Sequence, residues 1–131
     1  MVASTELRLY SSQMARLTKI LKVDTGGPGL YEITSAAREC ASAHGGDGLL
    51  TAFVRHTSCS LVIQENADPD VRRDLNEFFR RLVPALGDPE MEWVRHRTEG
   101  PDDMPAHIKA ALTQPSIGVP FENGELLLGT W

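Results

Sequence analysis

The chain is 131 residues long and 41% hydrophobic, enough for one domain with its own core and too little for several. Lys and Arg total 13 against 18 Asp and Glu, and no basic run can neutralise successive phosphates; this excludes nucleic acid as a partner, though not a small phosphorylated ligand. No apolar run approaches the roughly 20 residues that cross a bilayer, and Cys40 and Cys59 form no CxxC pair, so a cytoplasmic protein with no membrane partner is expected.

In chain order, "MARLTKILKV" (Met14 to Val23) roughly alternates and reads as a strand closed by the turn residues of "DTGGPG". "ITSAARECASAH" reads as a short helix, with Thr34 or Ser35 as cap and Gly45-Gly46 as stop. His44 at its end suits the carbonyl pole of the helix dipole. "GLLTAFVRH" and "SCSLVIQE" are apolar and partly β-branched, which predicts two neighbouring strands with His56-Thr57-Ser58 at the bend. On a strand of about seven residues His56 and Glu65 would lie roughly 20 Å apart.

Asp68-Pro69 then opens a helix in which Val71, Leu75, Phe78, Phe79 and Leu82 form an apolar stripe expected to face a core. Arg73, Glu77, Arg80 and Arg81 fall on the solvated side, with a Glu77–Arg81 ion pair at i,i+4. Arg72 and Asp74 border the stripe, where a side chain can reach a groove between helix and sheet. In "RHRTEGPDDMPAHIKAAL", Pro105 marks a further helix start, which would put His107 in a first turn suited to a neutral ring or to phosphate. "SIGVPF-ENG-ELLLGTW" reads as a hairpin turning at Asn123-Gly124.

His56, His96 and His107 come from separate segments, the usual supply for a catalytic zinc, but their spacing fits no local motif such as HExxH. From spacing alone, a common site and unconnected histidines both stand. Neither a GxSxG elbow nor a GxxxxGK[ST] loop is present.

Taken together, "HTSCSLVIQENADPDVRRDL", "FFRRLVP", "EGPDDMPAHIK" and "GTW" resemble the YjbQ family, known as secondary thiamine-phosphate synthase, over about Leu49 to Trp131. The resemblance implies a single α+β domain over residues 1–131, with a large mixed or antiparallel sheet and two to three helices packed on it. It also implies a homotrimer and convergence of His56, His96 and His107 on one site; members of the family usually carry a further strand or two beyond "GTW", which this sequence is expected to lack. The implied activity joins hydroxymethylpyrimidine diphosphate to thiazole phosphate with release of pyrophosphate, as a main or secondary reaction. Catalytic and metal-binding roles then fall to His56, His96 and His107, with zinc or magnesium as the divalent metal. Substrate contacts fall to Arg55, Thr57, Ser58, Asn66, Arg72, Asp74, Asp102, Asp103 and Lys109. Glu65, Asp70, Asp74, Asp102 and Asp103 are also available to a hard cation. A metal-dependent hydrolase with a three-His site and a non-catalytic ligand-binding homo-oligomer are the alternatives.

Overall fold

A computed structural model describes the backbone of β1 (Ala3–Ser11) and residues 17–130 with their side chains. Four further strands complete the sheet: β2 (Thr18–Thr25), β3 (Gly48–Val54), β4 (Ser116–Glu122) and β5 (Glu125–Leu126). Their order is β2-β1-β3-β4-β5 and every pairing is antiparallel, so the expected α+β class holds and its sheet is antiparallel rather than mixed. Three helices accompany it: α1 (Thr34–His44), α2 (Pro69–Leu82) and α3 (Asp103–Ala111), with a 3-10 turn at Pro89–Met91. None of the described helices is long and apolar enough to cross a membrane.

Alternation builds the main core. Leu50, Ala52 and Val54 of β3 share a face with Val119 and Phe121 of β4, and α1 covers them with Cys40 and Ala41. Gly48 is required here, because a Cβ on it would stand 2.7 Å from the Phe121 ring. A second, smaller core of Val83, Met91 and Val94 packs against Met104 and Ile108 of α3. It fixes the loop after α2 to the helix that carries His107.

Several expectations need correction. The strand in "MARLTKILKV" is Thr18–Thr25, shifted towards the turn; residues 12–16 lie outside the described part. "SCSLVIQE" forms no strand. Both edges of β3 are already taken, by β1 and β4, so the segment contributes one isolated bridge, Leu61 to Gln114. The helix α1 begins at Thr34 itself, with Ile33 as cap residue and no side-chain capping bond, so neither hydroxyl caps it. His44 does stand in the last turn of α1 as expected; its Nδ1–H donates to the carbonyl of the cap residue Gly45 at 2.6 Å and its ring meets the Phe121 edge.

The α2 start is as expected. Asp68 accepts from the Asp70 N–H at 2.8 Å and Pro69 stands in the first turn. The stripe of α2 does not face a core, since no α2 residue is buried and Phe78 and Leu82 are half exposed. On the charged side Glu77 meets both Arg80 and Arg81 at 2.7 Å. The β4–β5 turn has φ of 51° at Asn123 and 79° at Gly124, the positive pair that a tight hairpin demands. β5 is shorter than expected, at two residues.

Candidate functional site

The end of β3 and the body of α3 form the two sides of a cleft of about 400 Å³. Phe53, Ala110 and Pro115 give it an apolar wall, and Arg55, His56, Thr57 and His107 line it with polar groups. Arg55 and Thr57 are exposed, while His56 and His107 are half-buried.

Next to the cleft is a cluster of imidazoles and carboxylates. His96 follows the second core, and Gly100, at φ 107°, turns the chain so that Asp103 comes back beside it. His96 Nε2 lies 3.0 Å from Asp103 Oδ2, and His107 Nε2 lies 3.4 Å from the same oxygen. Asp103 and His107 meet because they are four apart on α3. Glu99 Oε1 is 3.7 Å from His96 Nε2, and the His96 and His107 rings meet edge to face with centroids 6.3 Å apart.

Hydrogen bonds fix the ring tautomers. A carbonyl only accepts, so the 3.1 Å contact of His107 Nδ1 with the Thr57 carbonyl is an N–H donation. A neutral His107 would then turn a bare Nε2 lone pair towards the Asp103 carboxylate. Two acceptors facing each other at 3.4 Å repel, and a proton or a divalent cation between them removes the conflict. His56 differs: the Ser58 N–H donates to its Nδ1 at 3.2 Å, with Ser58 Oγ 2.9 Å from the same atom, which leaves Nε2 as the donor.

The expected residues separate into groups. His96, His107 and Asp103 are brought into contact, and His56 shares the cleft wall with His107, Arg55 and Thr57. Among the described residues, the one group of ligand atoms lying mutually within 4.8 Å is His96, Glu99 and Asp103, so carboxylates stand where a third imidazole was expected. Asn66, Arg72 and Asp74 are exposed and do not line the cleft. His107 is the fifth residue of α3 rather than part of its first turn, and Asp102 and Asp103 place negative charge at that helix end, which disfavours an anion there. Lys109 is half-buried on α3; burial pushes its ammonium below the ordinary lysine range, and Asp102 acts in the opposite direction. Glu99 was not singled out in the sequence, although its i,i+3 spacing from His96 was the available signal.

Residues 19–131 match the family model described as UPF0047 protein YjbQ-like. The chain belongs to the YjbQ family. A UPF0047 protein of Synechocystis is 52% identical over 115 residues, covering 86% of this chain and 75% of that protein. The UPF0047 protein YjbQ of Escherichia coli O157:H7 is 45% identical over 84 residues, 64% of this chain and 57% of that one. Among solved structures, a conserved hypothetical protein of Thermus thermophilus is 36% identical with a TM-score of 0.69, covering 85% of this chain and 81% of that one. Family membership therefore extends to the fold, with this cleft and cluster built on it.

Proposed function

We propose that the chain is a cytoplasmic transferase acting on small phosphorylated substrates, with thiamine-phosphate synthase-type activity as a main or secondary reaction. The observation that carries this reading is Asp103 standing between the imidazoles of His96 and His107 beside a cleft that also holds Arg55. In such a reaction the carbon–oxygen bond to the diphosphate breaks, its electron pair leaves with pyrophosphate, and the thiazole nitrogen supplies the pair for the new bond. The leaving pyrophosphate needs positive groups, and Arg55, which lines the cleft, is suited to its oxygens; Lys109 does not line it. The apolar wall of Phe53, Ala110 and Pro115 would keep water from the reactive pyrimidine carbon.

The donor set of His96, Glu99 and Asp103 fits a divalent ion, with His107 Nε2 3.4 Å from the same Asp103 oxygen. Imidazole nitrogen favours zinc over magnesium, which prefers oxygen ligands. When bound there, such an ion would supply positive charge for the phosphate oxygens. Within this arrangement Asp103 orients both imidazoles, and the Thr57 carbonyl fixes which nitrogen of His107 faces it. A metal-dependent hydrolase is the second reading, favoured by the repulsion at His107 Nε2 that a cation would remove. The active species is proposed to be a homotrimer.

The test is pyrophosphate release from the two substrates by the wild-type protein and by Asp103→Asn and His107→Ala, with metal content determined on the same samples. Expected is release by the wild type and a loss of ~100-fold in each variant, the scale of a lost acid–base or metal-orienting group. Undiminished release by both variants would remove the cluster from the mechanism. A metal-loaded wild type that hydrolyses phosphate esters and does not couple the two substrates would favour the hydrolase.

A further inference from the structure

The cluster draws His96 from one segment and Asp103 and His107 from another, so its geometry depends on what holds the first segment in place. Arg97, the next residue, does so by reaching backwards. Its Nε donates to the Val94 carbonyl at 2.7 Å, one Nη to the Met91 carbonyl at 2.6 Å, and the other to the Leu86 carbonyl at 3.2 Å. Met91 and Val94 are buried in the second core, which packs on Met104 and Ile108 of α3. The Leu86 N–H in turn donates to the Pro101 carbonyl at 3.0 Å, inside the turn that returns the chain to Asp103. One guanidinium thus ties together the loop after α2, the 3-10 turn and the segment carrying His96.

We infer that Arg97 is a positioning residue for the proposed site: its fork on three backbone carbonyls sets where His96 stands, and so keeps the His96 Nε2–H on Asp103. Arg97 lines none of the cleft, so it acts through His96 and not on substrate. The role requires arginine. A planar guanidinium with several fixed donors satisfies carbonyls in different directions at once, whereas a lysine ammonium is a compact, strongly hydrated point charge. The inference rests on the proposed role of His96.

The experiment compares wild type, Arg97→Lys and Arg97→Ala by the ring 15N shifts of the histidines and by pyrophosphate-release kinetics. The shifts of all three proteins are measured metal-free, because a bound ion would need the His96 Nε2 bare; in the metal-free wild type, donation to Asp103 fixes His96 in the Nε2–H form. Both variants are expected to mix the two tautomers at His96 and to leave the His56 ring unchanged. They are also expected to lose ~10-fold or more in kcat at constant KM, the usual scale for a group that orients another functional residue. The lysine variant keeps the stem and the charge, so it remains a test if the alanine variant does not fold. A His96 ring unchanged in the lysine variant, with kcat within about twofold of wild type, overturns the inference, since that shift is well under the expected loss. If the wild type releases no pyrophosphate while His96 still mixes tautomers in the variants, the positioning role stands and the transferase reading alone fails.

Discussion

At Asp103 a single carboxylate oxygen meets two imidazoles, and the Lys109 ammonium sits on the same helix a turn and a half further on. Lys109 gives a stability test separate from catalysis. Its folded-state pKa is lowered by burial, so the folded protein holds that proton less tightly than the unfolded chain. The charged form therefore costs stability at neutral pH, and the cost fades as pH rises towards the ordinary lysine value of 10.5. Lys109→Met is expected to melt above wild type at pH 7, with the gap closing as pH approaches 10.5. Melting curves across that range check it; a gap that widens with pH would contradict the burial effect. At this scale the histidines were legible through the family motifs, and Asp103 was visible as an acid. Its place between two rings was not legible, because that depends on Gly100 turning the chain and on Arg97 holding it, and neither leaves a periodic signal.

Among the elements, α2 shows most clearly what periodicity tells and what it leaves open. Its stripe from Val71 to Leu82 and its Asp68 cap predict the helix correctly, since both are local. Burial of the stripe is not local; it needs a partner, and within this chain Phe78 stays 54% exposed. Phe121 by contrast is 1% exposed under α1. In the monomeric chain, Phe78→Ala is therefore expected to cost less than about 1 kcal/mol, against about 3–5 kcal/mol for Phe121→Ala, where a cavity opens in a closed core. Urea unfolding of both variants checks the contrast, and equal losses would show that the stripe is covered. The segment after His56 misled for a related reason. Val62 and Ile63 have strand-like side chains, but β3 has no free edge for them to pair with. Propensity describes a fit to a sheet, and the sheet had no vacancy there.

For the whole molecule, apolar surface is the main quantity left unbalanced. Val62 and Ile63 are each more than half exposed, and Val62 joins Leu61 and Leu112 in a single open hollow. Leu49 and Phe53 are also exposed on the sheet face turned away from α1. Isolated exposed apolar residues are ordinary, but patches of this kind mark contact surfaces. The proposed homotrimer gives them something to bury against, and a stable interface needs on the order of 800 Å² from each partner. Sedimentation velocity is expected to give three times the 14.4 kDa mass of one chain. A variant with Val62→Glu and Ile63→Lys is expected to sediment as one chain while keeping its secondary structure, because neither residue belongs to a core within the chain. Three-chain mass in that double variant would move the contact to the open sheet face or to α2. One-chain mass in the wild type would rule out the trimer itself, and the cleft between β3 and α3 would then have to work with the residues of a single chain.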